Sequence, residues 1–363
     1  MRRKDFLKYL GIGGAGALIG GAISRATSLL SSGSGANSIG YGGPDEELCV
    51  SPPAEQTSTA NRRPASAYGG ITQPPSGFNE GTLISFASGE DNSIWAEGPS
   101  FLTKADRPLM PPHIGRGKIE LSAMENDLFV ARETILSGWT FNGQIPGPVL
   151  RAKYGDRLDI TFRNLTSQPH SLHFHGRHSP SQDGWEGVQP GASREYSLIA
   201  DPVGVHPYHC HVPPIGVHTS KGLYGVMIVD PPVPRPPAFE IVLVLSALDL
   251  KNTGKNDLYV FNGVAGFYER FPIKVKQNQL VRVYLVNMAE YESVMTFHIH
   301  GTTFDIFRTG TRLTPDDHSD VVTLGMAERA ILEFRLPEKG RYMFHPHQIR
   351  MAERGAMGWF VAV

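Results

Sequence analysis

The chain has 363 residues, room for two domains of ordinary size, and a formal net charge of −1 that gives no field to draw it onto nucleic acid or an anionic membrane. Glycine (40 residues) and proline (28) favour a loop-rich β protein over a helical one, and two cysteines exclude a disulfide framework. Residues 1–28 read as an export signal: Arg2, Arg3 and Lys4 precede an apolar Gly/Ala-rich run from Leu10 to Ile23. That run is too short to span a bilayer comfortably, so no stable membrane span is expected in the mature chain. The segment RRKDFLK is built like a twin-arginine signal, with Arg2-Arg3 or Arg3-Lys4 as the basic pair. Export to the periplasm or the exterior is the expectation, and a short amphipathic N-terminal helix is the alternative. Residues 29–112, rich in Ser, Gly, Pro, Asn and Thr, read as a low-complexity linker and irregular arm, within which Cys49 has no assigned role.

From Lys118 the texture changes to strands. LDITFRN points Leu158, Ile160 and Phe162 inward, VRVYLVN points Val281, Val283 and Leu285, and AILEFRL points Leu332, Phe334 and Leu336. EIVLVLSAL (240–248) is continuously apolar, which suits a strand buried on both faces. Pro- and Gly-rich turns separate these runs and no long amphipathic helix competes, so the expected class is all-β, a pair of sandwiches. DPPVPRPPAF (230–239) is the natural divider between a first domain at 113–232 and a second at 238–363.

The second domain repeats the first. A strand ending in Asn164 leads to His173-Phe174-His175-Gly176, and one ending in Asn287 leads to His298-Ile299-His300-Gly301. Tyr208 then precedes His209-Cys210-His211, and Tyr342 precedes His345-Pro346-His347. Duplication of one unit explains this order. Four His-x-His pairs occur where 14 scattered histidines would give roughly half of one.

Each pair is a geometric statement. In an extended strand, residues two apart share a face, so Cys210 projects to one side while His209 and His211 project to the other. Thiolate is a soft ligand and imidazole an intermediate one, a combination that suits copper. Eight paired imidazoles also exceed what a single four-coordinate zinc uses. The halves differ at two places: His170 precedes the first pair where Met295 precedes the second, and Cys210 stands where the second half has Pro346. Only the first half therefore keeps a thiolate site.

With these motifs in order, residues 118–363 resemble two-domain, laccase-like multicopper oxidases that carry blue copper in the first domain only. GWTFNGQIPGPVLRAKYGDRLDITFRN is similar to that family's opening strands. The resemblance implies two tandem cupredoxin-like Greek-key sandwiches and four coppers per chain. It assigns type 1 copper to His170, Cys210 and His218, with Leu223 at the axial position and Met227 as the competing candidate. A non-coordinating axial leucine favours Cu(I) and raises the potential.

The family pattern makes His173 and His298 the type 2 ligands and His175, His209, His211, His300, His345 and His347 the type 3 ligands. The cluster draws on both domains, and the resemblance implies that those domains belong to neighbouring chains of a ring-shaped homotrimer. Asp183 matches the family acid that delivers protons, although Asp-Gly is also a turn signal. The implied partners are O2 and a reducing small molecule, metal ion or redox protein. Copper nitrite reductase and a non-catalytic cupredoxin electron carrier are the alternatives. The first needs three histidines for a lone type 2 copper and follows its cysteine with a non-ligand; the second has no use for eight further histidines. His113, His178, His206 and His318 are left over, and a solvated or locally hydrogen-bonded role is expected for each.

Overall fold

The computed structural model describes residues 118–131 and 134–363. The export signal, the arm at 29–112 with Cys49, and His113 lie outside the described residues. Apart from short helical turns, the described chain is strand and loop.

Residues 118–230 make one pair of sheets. The first orders β2 (Thr134–Phe141), β1 (Lys118–Ala131), β4 (Arg157–Asn164) and β6 (Ser193–Ile199). The second orders β3 (Val149–Lys153), β8 (Tyr224–Asp230), β7 (Gly204–His209) and β5 (His173–Phe174). Residues 239–362 make another pair. One sheet orders β10 (Leu258–Phe261), β9 (Phe239–Leu248), β12 (Val281–Met288), β17 (Arg329–Phe334), β14 (Phe304–Arg308) and β15 (Asp317–Ser319). The other orders β11 (Ile273–Val275), β19 (Gly358–Ala362), β18 (Gly340–His345), β13 (Val294–Ile299) and β16 (Val321–Gly325).

The duplication read from motifs recurs in the pairing. β1 runs parallel to β4 as β9 does to β12, and β3 runs parallel to β8 as β11 does to β19. β5 lies antiparallel to β7 as β13 does to β18. Each sandwich has its own core. Leu158, Ile160, Phe162, Phe174, Tyr208 and Cys210 meet in the first, and Leu243, Val283, Leu285, Phe297, Leu332 and Phe344 in the second.

Strict alternation misses one feature of β12. All eight of its residues are buried, where the pattern places only Val281, Val283 and Leu285 inside. A further cluster forms between the sandwiches: Tyr284 and Val286 of β12, with Val242 and Val244 of β9, pack on Val205, Val226 and Ile228 of the first sandwich. β9 is buried on both faces for the same reason, one face to each side. The backbones also touch. Val205 N–H donates to Thr309 O at 2.9 Å, and a Cβ on Gly204 would lie 2.1 Å from that oxygen, so only glycine fits.

The edge of this interface is ionic. Arg151 reaches Asp230 at 2.7 Å and Glu240 at 2.7 Å, Arg282 reaches Glu240 at 2.8 Å and Glu333 at 2.6 Å, and Tyr284 donates to Glu240 at 2.7 Å. Removing Glu240 takes one carboxylate from the buried Arg282 guanidinium and one from the half-buried Arg151. Glu240→Ala is therefore expected to cost about 3 kcal/mol in denaturant unfolding, at the low end for a broken buried pair. Arg157→Ala, which breaks the exposed pair with Asp159, should leave the midpoint unchanged.

Candidate metal centre

β7 delivers Cys210 into the core of the first sandwich, where the residue is 0% exposed. His170 arrives from the segment bridged to Val188, and His218 from a short helix, α1 (Ile215–Ser220). The three donor atoms converge: Cys210 Sγ lies 3.2 Å from His218 Nδ1 and 3.7 Å from His170 Nδ1, and the two Nδ1 atoms are 3.0 Å apart. Burial pushes His170 and His218 down to about 4, so both imidazoles are neutral at pH 7. Burial also pushes the Cys210 thiol up. A metal ion must therefore displace the thiol proton, and His₂Cys is the trigonal donor set that copper takes in electron-transfer sites.

Leu223 ties this set together through its backbone. Its carbonyl accepts from Cys210 N–H at 3.0 Å, and its N–H donates to His218 O at 3.2 Å. Its side chain is fully buried in the same cluster as Cys210. Met227 is buried in that cluster too, but on β8 it lies across from His206, away from the cysteine end. Trp139 was not legible as a site residue. Its ring packs 4.9 Å from His170 and 4.8 Å from His218, centroid to centroid, and Lys221 Nζ sits 5.0 Å from it.

The opposite face of the same strand carries the paired histidines, and the two halves match atom for atom. His173 stands across from His209 between β5 and β7, as His298 stands across from His345 between β13 and β18. His173 Nδ1 donates to Asp183 O at 2.7 Å, and His298 Nδ1 to Asp320 O at 2.7 Å. His209 Nδ1 donates to Cys210 O at 2.9 Å, and His345 Nδ1 to Pro346 O at 2.8 Å. These bonds fix the tautomers and leave each Nε2 lone pair free.

Two of these Nε2 atoms, those of His209 and His345, face another imidazole nitrogen. His209 Nε2 faces His175 Nε2 at 3.1 Å, and His345 Nε2 faces His300 Nε2 at 2.9 Å. Burial, followed by the neighbouring His209, pushes His175 to about 3; burial also lowers His173, His300 and His345, and takes His209 to about 4. Clusters of imidazoles whose Nε2 atoms converge fit copper. Ser171 Oγ accepts from His211 N–H at 2.9 Å, and Thr296 Oγ1 from His347 N–H at 2.7 Å. A hydroxyl two residues before each of the first pairs was the signal that could have found these struts. Asp320 left no such signal.

Asp183 stands against the first half-site. Its Oδ1 is 3.1 Å from His173 Nδ1 and 3.7 Å from His178 Nε2. His178 is half-buried and bonded to Phe174 O and Ser179 O, while exposed His318 is paired with Asp305. His206 is completely buried rather than solvated. It donates from Nε2 to Pro202 O at 2.8 Å and receives Arg329 Nη2 at 3.3 Å from the second sandwich. Among the described residues, the four paired histidines of the first half make no hydrogen bond or ring contact with the four of the second. In the second half, His300 and His347 are exposed.

Multicopper oxidase family models match residues 125–234 and 236–363. A solved structure described as a multicopper oxidase is 42% identical, with a TM-score of 0.67, covering 68% of this chain and 88% of that one. A copper nitrite reductase from Nitrosomonas europaea superposes with a TM-score of 0.62 at 27% identity, covering 68% and 94%. The copper-containing nitrite reductase of Neisseria meningitidis serogroup B is 28% identical over 69% of this chain and 71% of its own length.

Proposed function

The chain belongs to the multicopper oxidase family, and from that premise we propose that it is a laccase-like enzyme that oxidises a phenolic compound or metal ion one electron at a time and reduces O2 to water. A copper oxidoreductase built on two tandem cupredoxin-like sandwiches is the frame within which the proposal stands. Copper would supply one-electron chemistry at His170, Cys210 and His218, and four-electron reduction of O2 at the paired histidines.

The residues then have distinct tasks. Cys210 is joined by single peptide bonds to His209 and His211, so electrons leaving its sulfur have a covalent path to the other face of the strand. Leu223 keeps the sulfur in a dry, apolar wall and offers no fourth ligand. We assign proton delivery toward the site where oxygen is reduced to Asp183, whose Oδ1 lies 3.1 Å from His173 Nδ1.

One observation carries this reading over the alternatives: the second half-site is a complete copy of the first, with the same tautomer-fixing bonds and the same facing Nε2 pair. A lone type 2 copper, as in a nitrite reductase, uses three histidines and leaves five of the eight paired ones, His211 among them, without a task, and an electron carrier leaves all eight. The curated nitrite reductase relatives make that enzyme the second reading. The absence of contact between the half-sites, with His300 and His347 exposed, supports a cluster assembled between chains in a homotrimer. We also propose that the protein is exported; among the described residues no helix is long and apolar enough to cross a membrane.

Copper analysis with absorption and EPR spectra tests the reading. About four coppers per chain and a blue thiolate-to-copper band are expected, on the ligand count above. Two or fewer coppers in the fully loaded protein would favour nitrite reductase or a carrier.

A further inference from the structure

His218 is borne by α1, a helix of six residues whose N-cap, Pro214, makes no side-chain capping bond. Helices this short do not persist without tertiary contacts. The first sandwich secures its C-terminal end, where Lys221 O accepts from Trp139 N–H at 3.0 Å and the Trp139 ring lies on His218. Its N-terminal half is covered from the other sandwich. A Cβ on Gly216 would lie 3.2 Å from Tyr291 Cε1 and 3.3 Å from its Cζ and hydroxyl oxygen, so the ring rests directly on that glycine.

Tyr291 is placed there deliberately by its own loop. Its backbone is left-handed, with φ +60°, a conformation that non-glycine residues adopt only when their surroundings hold them. Both neighbours are anchored in the second sandwich. Asn256 Nδ2 donates to Glu290 O at 2.9 Å, and the Glu292 carboxylate takes Arg350 at 2.9 Å and the Tyr259 hydroxyl. The loop is thus a rigid arm ending in a ring.

We propose that Tyr291 is a positioning residue for the thiolate–imidazole set: the second sandwich, which contributes no ligand to that set, holds α1 so that His218 meets Cys210. The ring rests on Gly216 and its hydroxyl also bonds Ser220 of α1; the ring contact is the part on which the spacing of Cys210 Sγ and His218 Nδ1 depends. The consequence is that changes in the second sandwich reach the thiolate site of the first through the loop that bears Glu290 and Tyr291.

The test has a readout without metal and a readout with copper, the latter resting on the proposed function. In a Cys49→Ser background, the metal-free protein is treated with 4,4′-dithiodipyridine and the rate of Cys210 modification measured. Tyr291→Ala should raise the rate about tenfold by loosening α1 over the buried sulfur, and Tyr291→Phe should stay within about twofold of the parent. Gly216→Ala, whose methyl displaces the ring while leaving Tyr291 in place, should behave as Tyr291→Ala does. In the copper-loaded protein the first and third substitutions should change the EPR copper hyperfine splitting, and the second should not.

Rates within about twofold of the parent for both Tyr291→Ala and Gly216→Ala, with native far-UV circular dichroism, would overturn the proposal. A phenylalanine variant as reactive as the alanine one would overturn the claim for the ring contact. If Tyr291→Ala does not fold, Gly216→Ala and Tyr291→Phe decide. A parent protein that takes up copper without turning blue sinks the copper reading and leaves the thiol result standing.

Discussion

Cys210→Ser is expected to abolish the blue band, lower the copper content from about four to about three per chain, and reduce O2 consumption with any donor to background. A serine hydroxyl does not ionise to a soft anion in a buried apolar setting, so the remaining imidazoles of His170 and His218 lose the ligand that defines their site. The paired histidines keep their own supports. His173 and His298 remain bonded to carbonyls of Asp183 and Asp320, and Cys210 packs, among the described residues, in the core of the first sandwich. Copper analysis, absorption and an oxygen electrode decide the matter together. Retained blue colour would show that the sulfur is not a ligand. Retained oxygen consumption without colour would show that electrons reach the oxygen site by a route that bypasses Cys210.

The second large effect is complementation between two dead chains. His173→Ala with His175→Ala removes half of the first half-site, and His345→Ala with His347→Ala removes half of the second. Each variant alone should be inactive, because each half-site offers only four imidazoles and cannot hold three coppers by itself. Mixed assemblies should regain activity, since an intact first sandwich of one chain can then face an intact second sandwich of its neighbour. Separation of differently tagged chains would show that mixed rings form, and oxygen uptake would report their function. Mixed rings that form and stay inactive, or an active monomer in sedimentation, would reject assembly between chains.

The candidate donor set was legible because it is local. A strand's period of two places His209 and His211 on one face and Cys210 on the other, whatever the rest of the chain does. The same period separates core from surface along β4, where Leu158, Ile160 and Phe162 are buried as the pattern requires. The repeat told which residues correspond, and the pairings His173–His209 and His298–His345 follow that correspondence. The departure of the halves at His170 and Cys210 marked which half gathers a thiolate site, because residue identity alone determines donor softness.

What the sequence by itself determined, then, was the all-β class, the duplication, and which side chains carry metal-binding atoms. Only the tertiary structure decided what stands behind them. No local period says that the outer face of β12 is covered by the other sandwich, because apolar Val286 and polar Arg282 acquire their partners from residues about 40 or more positions away. Trp139 against His170 and His218, Asp320 beneath His298, Arg329 on His206 and Tyr291 on Gly216 are all contacts of this kind. Ligand identity is a property of residues and their spacing, whereas the orientation of each ligand is set by groups that only folding brings within reach.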